Sequence, residues 1–421
     1  MENQTEKSSP YAIYALVLLT TVYVLNFLDR TIIYILFTPI KAEFNFSDTQ
    51  LTMLGTTSFV ILYTVLGIPF GRIADKGSRV KLIAIGLAVW SLFSGLTGFA
   101  WDFWSLFFCR VMVGVGEATL GPAAISLLAD YFPPAKRAPV TSIYSMGIAL
   151  GAGLAAIFGG YLSKIGWREA FFIVGFPGML LAILVYFLRE PPRQVQVSTE
   201  GNYSSTDWKK LISNKTFLLV CLGYALYGLA TNSLSIWGAT YINRIYNLPI
   251  PTIGYWLGIM TLLAGIPATL FGGVIADWFR RKTSGGRMMF GAILAFVSFG
   301  LWFVILFTDN FYISIPATFV LLFAALAWLG AAAADVTEIA GANLRGLAIA
   351  IFFFAVNIMA YLIGSNIIGK LNDAVGIAVN PTTKLIENAE MMRYTLLVCP
   401  LACLLGAICL LIGSKTLPKN N

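Results

Sequence analysis

Long apolar runs separated by short polar connections fill the chain from residue 11 to residue 414. A helix needs about 20 apolar residues to cross a bilayer. Twelve runs meet that length, at about 11–37, 48–71, 80–100, 103–130, 138–163, 168–188, 216–243, 252–276, 287–307, 311–335, 345–371 and 391–414. The pattern predicts an all-α membrane protein with twelve transmembrane helices. The longest polar stretch, 189–215, falls between the sixth and seventh runs. It reads as a linker between two six-helix halves, 1–188 and 216–421. Residues 1–10 are polar and read as a disordered tail. No cleavable signal peptide is evident, because the first run is too long and no small-residue cleavage site follows it.

The halves repeat. Gly71-Arg72-Ile73-Ala74-Asp75 lies between spans two and three, and Gly273-Val274-Ile275-Ala276-Asp277 lies between spans eight and nine, 202 residues later. A basic cluster follows each: Lys76, Arg79 and Lys81, then Arg280, Arg281 and Lys282. Ala129-Asp130 ahead of Arg137 is echoed by Ala334-Asp335 ahead of Arg345 at an offset of 205. Six helices is an even number, so both halves keep one orientation. A parallel repeat of this kind points to a site at the interface of the halves, near the membrane midplane.

Composition agrees with a bilayer as solvent: 58% of residues are hydrophobic, 11% are charged and the mean hydropathy is +0.79. A net charge of +8 suggests nucleic acid in a soluble protein. Here it reflects a one-sided distribution of Lys and Arg instead. Placing the N-terminus in the cytoplasm puts 19 of the 28 basic residues inside and seven outside, with Arg30 and Arg110 within spans. Both termini are therefore expected in the cytoplasm, with the protein in the inner (plasma) membrane and no nucleic-acid partner. The five cysteines all fall in apolar runs and read as small core residues rather than as a disulfide or metal framework. There is no His, so a proton relay must use carboxylates and a His-based triad is excluded. No Walker-type phosphate loop is present, and no span places a nucleophile beside a general base. An enzyme is not expected, nor a metal or other cofactor. A proton gradient is the expected energy source.

The chemistry lies in charges at membrane depth. Asp29 and Arg30 interrupt the first span, and each costs roughly 3 kcal/mol or more to place there. Asp29 lies ~28 Å along a helix from Tyr11, and Arg110 ~10 Å in from Phe103, with Glu117 ~10 Å deeper. Helices entering from opposite sides bring Asp29 and Arg110 to one level. Arg110, Gly114 and Glu117 recur at i, i+4 and i+7, on one helix face, and Gly114 there allows close approach of another backbone or side chain. These positions predict an exchangeable network of Asp29, Arg30, Arg110 and Glu117 facing a cavity. Asp29 and Glu117 are the candidate proton carriers. Arg30 and Arg110, with Asn26 beside them, are candidates for an anionic substrate. A permanent ion pair locking helix one to helix four is the alternative.

The second half offers no matching charge. Its seventh span carries Tyr224, Tyr227, Asn232, Ser235 and Trp237, its tenth Trp328, and its eleventh Asn357 and Asn366. An aromatic wall opposite a charged one suits an amphiphile. Packing or interface anchoring is the other reading of such aromatics.

The Gly-x-x-x-Asp loops with their basic tails, and Arg110 to Ala118, resemble signatures of the major facilitator superfamily. NFLDR (26–30), RVMVGVGEATLGPAA (110–124), ADYFPPAKR (129–137) and GWREAFFIVGFPG (166–178) together resemble its bacterial Spinster-like branch. The resemblance implies two pseudo-symmetric six-helix bundles and a proton-linked secondary transporter working by alternating access. Eukaryotic Spinster proteins move lysophospholipids and sphingoid phosphates, so an amphiphilic anion of that kind is the favoured substrate. A small organic anion or sugar acid is the alternative, and a drug/proton antiporter a further one. The protein is expected to act as a monomer. The resemblance, with helix-terminus electrostatics, also implies a cytoplasmic gate of Gly71, Asp75, Arg79, Asp130, Arg137, Asp277, Arg281, Asp335 and Arg345. Ser78 departs from the family pattern, which usually has Gly there. The glycines of span five resemble the antiporter motif but lack its Pro.

Overall fold

The computed structural model describes residues 9–193, 205–283, 285–341, 344–378 and 386–417. The expected tail and the stretch 194–204 of the expected linker fall largely outside them. Numbered along the chain, the membrane segments of the first half are α1 (Pro10–Ile35), α2 (Asp48–Thr52, a π-helical turn Met53–Thr57, then Ser58–Lys76), α3 (Arg79–Leu96), α4 (Phe103–Glu117 and Leu120–Tyr131), α5 (Pro134–Leu162) and α6 (Trp167–Gly175 and Pro177–Tyr186). Those of the second are α7 (Lys215–Tyr246), α8 (Ile250–Lys282), α9 (Gly286–Phe307), α10 (Phe311–Ala340), α11 (Arg345–Asn357, a π-helical stretch Ile358–Gly364, then Ser365–Ala374) and α12 (Val398–Thr416). No strand occurs among the described residues.

Eleven of the described segments are helices long and apolar enough to cross a membrane. The expected continuous span over 103–130 is instead two helices, broken at Ala118 and Thr119.

Polar side chains set the helix ends. Ser9 Oγ accepts from the Tyr11 N–H (3.2 Å) ahead of Pro10, and Asp102 with Ser105 forms a reciprocal cap on α4. Ser47 and Gln50 do the same for α2. Ser78 caps α3 by accepting from the Lys81 N–H (3.2 Å), which a Gly could not do through a side chain. Asn45 and Asn247 adopt left-handed conformations (φ 57° and 52°) where the chain leaves a helix.

Both described ends of the chain, Pro10 and Thr416, lie at one end of the bundle, and the opposite end is called the far end below. The glycines of α5 are packing devices. Gly147 and Gly151 lie against Tyr23, Val24 and Phe27 of α1, and Gly153 and Gly160 against Gly254, Gly258 and Leu262 of α8. Small residues allow this backbone approach where lipid provides no hydrophobic drive between helices. α1 also packs on α7, and α2 on α11. Towards the far end, residues of α1, α5 and α6 (Ile32–Ile35, Ala155–Ala156, Ala170–Phe171) share one apolar core with the second half. The part of the first half nearer the termini, including Ala12–Leu19, Ile83–Trp90 and Leu120–Leu128, has a separate core. The halves are thus joined at the far end and diverge towards the termini.

A Cβ at Gly254 would stand 2.3 Å from the Ala156 carbonyl oxygen. Gly254→Val is therefore expected to destabilise the protein by about 1–3 kcal/mol, read as a lower melting temperature in detergent. An unchanged melt would contradict the close α5–α8 approach.

Candidate functional site

α1, α3 and α4 bring Asp29, Ser94, Arg110 and Glu117 together in the interior, and Asp29 and Arg110 do share a level. Asp29 is fully buried, with one carboxylate oxygen accepting from the Ser94 hydroxyl (2.9 Å). The indole of Trp90 lies beside it. Arg110, also fully buried, donates from Nη1 to the backbone carbonyl of Asp29 (3.3 Å) rather than to its carboxylate. Its Nε and Nη2 have no hydrogen-bond partner. Glu117 is 1% exposed and neither carboxylate oxygen is hydrogen-bonded. It feels the charges of Arg30, Arg110 and Asp29, with the Asn26 amide beside it. None of the four charged groups makes an ion pair among the described residues.

This differs from a structural ion pair locking α1 to α4. Burying an ion without a partner costs several kcal/mol. Four such groups lie close together here, none with an opposite charge in ion-pair contact among the described residues. The break after Glu117 places that carboxylate at the end of a helix segment inside the bundle. Half-helices of this kind line the polar sites of many transporters. Gly114 acts as its position on the helix face predicts: a Cβ there would meet the Phe59 carbonyl oxygen at 2.6 Å, so α4 lies directly on α2.

Arg30, close enough for its charge to act on Glu117, has a different kind of contact. Its guanidinium lies over the rings of Phe59 (4.3 Å to the centroid) and Tyr361 (4.7 Å), with Tyr63 at 5.5 Å and Phe27 at 5.9 Å. It makes no hydrogen bond to any described residue, and its Nε is buried without one. Phe59, Tyr63, Ser94 and Tyr361 were not legible as site residues, since an aromatic or a Ser in an apolar run carries no signal of which face it occupies.

The expected aromatic wall of the second half is corrected. Tyr224 and Tyr227 are fully buried within that half. Tyr224 stacks on Trp328 (5.3 Å) and abuts Gly291, and Tyr227 shares a hydrogen bond with Ser298 (3.0 Å). α7 is wrapped by α10, α11 and α12 as well as α1, so these aromatics pack into the core of their own half. Trp237 is also buried, edge-on to Phe37 of the Phe37–Phe44 helix (5.8 Å) towards the far end. Asn232 is half-buried and donates to its own helix at Gly228 O (2.8 Å). Asn357 is half-buried, one turn before Tyr361. Asn366 donates to Thr57 Oγ1 (2.8 Å).

The expected gate residues also sort differently. Arg79 is buried, donating to Asp130 (2.5 Å), Glu190 (2.7 Å) and Ser126. Burial would raise the Glu190 carboxyl, but hydrogen bonds from Arg79, the Val80 N–H and Ser78 outweigh it and hold it below its usual value. Arg137 donates to the Ala129 carbonyl (2.9 Å) at the end of α4. In the second half Arg287 pairs with Asp277 (2.7 Å) and Glu338 (2.8 Å). Asp335 is buried with one oxygen unpaired. Each of these pairs lies within one half and braces its helices. Asp75, Arg281 and Arg345 are exposed and make no ion pair among the described residues, and a Cβ on Gly71 would meet nothing within 4 Å. In this conformation they do not latch the halves together.

The lock between the halves sits at the far end, on residues that the sequence reading passed over. Asp48, fully buried at the start of α2, takes two parallel bonds from Arg244 of α7 (2.5 and 2.7 Å), pairs with Lys41 and accepts from Asn372 of α11 (2.9 Å). Asp373 returns from α11 to accept from the N–H groups of Asp48 and Thr49 (2.8 and 2.9 Å), capping α2 from the other half. Two cations and two carboxylates thus balance. In the sequence, Lys41 and Arg244 are only two of the seven basic residues expected on the outer side. Outside the lock, Glu43 lies near Arg168 and Trp167. Burial opposes, but their hydrogen bonds hold its carboxyl below the usual range.

The sequence profile described as Major Facilitator Superfamily matches residues 19–365. Among curated proteins, the chain is 30% identical over 284 residues to an "MFS-type efflux pump" of Mycolicibacterium smegmatis (65% of each chain). It is 29% identical over 243 residues to "Protein spinster homolog 1" of Xenopus laevis (55% of this chain, 46% of that one). It therefore spans about half to two thirds of the length of these relatives. A solved bacterial homolog of the human lysosomal transporter Spinster, inward-facing and unoccupied, superposes with a TM-score of 0.79 at 25% identity (97% of this chain, 96% of that one).

Breaking a buried ion pair on one side typically costs about 3–5 kcal/mol. Asp48→Asn is expected to lower the melting temperature and to lengthen the distance between spin labels placed at Ala42 and Lys370, read by pulsed electron resonance in detergent. An unchanged distance distribution would show that the Asp48 cluster does not hold the far end shut.

Proposed function

The chain belongs to the major facilitator superfamily and is a transporter of the Spinster type, and from that premise we propose that it is a proton-coupled secondary transporter of an amphiphilic organic anion. The observation that carries the reading is the buried group of two carboxylates and two guanidiniums without an ion pair. In a chain without His, Asp29 and Glu117 are the groups there able to take up and release a proton.

The mechanism follows from charge balance. With both acids ionised, two negative and two positive groups sum to zero. Protonating Asp29 or Glu117 leaves a net positive charge at the level of Arg30 and Arg110. An anion then restores neutrality, so proton and anion load together. A neutral, filled centre is the form that a low-dielectric interior favours, and it is the form in which the far-end lock opens and the opposite end closes. Arg30 receives the anionic head, because its guanidinium engages aromatic faces rather than a carboxylate. The rings of Phe27, Phe59, Tyr63 and Tyr361 provide apolar surface next to that charge, which suits a lysolipid or sphingoid-type phosphate. A small organic anion or sugar acid is the second candidate, since the Arg pair would serve it equally.

The excess of Lys and Arg among the connections at the termini end supports placing that end in the cytoplasm. With the far-end lock closed, the conformation is then inward-facing. The membrane is the cell's inner (plasma) membrane, crossed many times, and the energy source is the proton gradient.

Proteoliposomes with an imposed pH gradient test the reading. Lysophospholipid uptake is expected to follow the gradient and to outcompete sugar acids. Asp29→Asn is expected to abolish gradient-driven accumulation. Arg30→Ala is expected to weaken substrate binding at least ~10-fold, about 1.4 kcal/mol, with the fold intact by melting temperature. Full gradient-driven uptake by Asp29→Asn would remove Asp29 from the mechanism, and preference for a sugar acid would replace the substrate class.

A further inference from the structure

Tyr361 belongs to the second half, yet its ring covers a charge of the first. Its position depends on a local distortion of α11. The π-helical stretch Ile358–Gly364 contains it, and the π-helical turn Met53–Thr57 of α2 packs against that stretch. Such bulges recur at functional sites. Polar contacts flank the pair: Thr56 with Ser365 (3.1 Å) and Asn366 with Thr57 (2.8 Å). Phe59, just past that turn on α2, also lies against the Arg30 guanidinium (4.3 Å to the centroid). Arg30 therefore touches a ring of its own half and a ring of the other at once.

We propose that Tyr361 is a positioning residue, which holds Arg30 ready for the anion and makes the state of Arg30 felt by the second half. The inference rests on the alternating-access reading above. When the α2–α11 interface separates, Phe59 stays with Arg30 and Tyr361 leaves. The ring-to-cation contact then exists in one conformation only, and a contact of that kind biases the equilibrium between two states. An anion arriving at Arg30 competes for the same guanidinium and weakens its hold on Tyr361. Substrate binding thereby loosens the interface that must open. Along α5 and α8 the glycine contacts bear on no charge, so this coupling belongs to the α2–α11 side.

The test is a double-mutant cycle read by spin labels at Ala42 and Lys370. Tyr361→Ala is expected to move the ratio of closed to open far ends towards open by on the order of tenfold. Tyr361→Phe, which keeps the ring, is expected to match the parent protein. In an Arg30→Ala background, Tyr361→Ala is expected to change nothing further. The proposal is overturned if Tyr361→Ala leaves the ratio unchanged, if Tyr361→Phe behaves as Tyr361→Ala does, or if the shift persists at full size without Arg30. Lysophospholipid uptake by Arg30→Ala separates the two readings. Normal uptake there would sink the assignment of Arg30 as the anion site, whereas lost uptake together with an unchanged Tyr361→Ala ratio would sink only the role of Tyr361.

Discussion

A charge placed at membrane depth must find a partner or a polar space, and this chain places four such charges together. Asp29, Arg30, Arg110 and Glu117 are all buried, yet their contacts are a hydroxyl, a backbone carbonyl and aromatic faces. Each is a weaker partner than an opposite charge would be. The surrounding structure has to hold the group in place. Gly114 brings α4 onto α2 beneath Phe59, and the interruption after Glu117 ends a helix segment inside the bundle. Pairing the same groups permanently would stabilise the fold but leave nothing to exchange.

The two halves answer this constraint differently. Charge at membrane depth is concentrated in the first half. The second fills its centre with Tyr224 stacked on Trp328 and edge-on to Phe352 and reaches the charged site through Tyr361. The two crossings between halves differ as well. α5 and α8 meet through glycines, backbone on backbone, while α2 meets α11 through hydroxyls and amides and meets α7 through the buried Asp48–Arg244 pair. Breaking a buried ion pair and several hydrogen bonds is a discrete event, of the kind that separates two conformations. The glycine crossing has no such groups to release and is suited to act as a pivot.

The number, order and approximate limits of the membrane segments were legible in the sequence, because a bilayer imposes one length on every crossing. The gathering of Asp29, Arg110 and Glu117 followed from helix rise and periodicity alone, and so did the close approach at Gly114. What stayed hidden depends on side-chain direction. Tyr224 and Tyr227 face the interior of their own half rather than the first half, and period alone does not choose between those faces. The far-end lock was invisible for a different reason. Lys41, Asp48, Arg244 and Asp373 are scattered across the chain, and each alone reads as an ordinary charge at a helix end. The π-helical turns that seat Tyr361 have no sequence mark of their own.

The proposed function turns on one buried centre that binds both a proton and an anion. The most direct measurement is the affinity for a lysophospholipid as a function of pH, in the parent protein and in a variant carrying Asp29→Asn with Glu117→Gln. Affinity is expected to strengthen as pH falls in the parent, because protonation uncovers positive charge, and to be independent of pH in the variant. The same pH dependence in both proteins would contradict the proposed function.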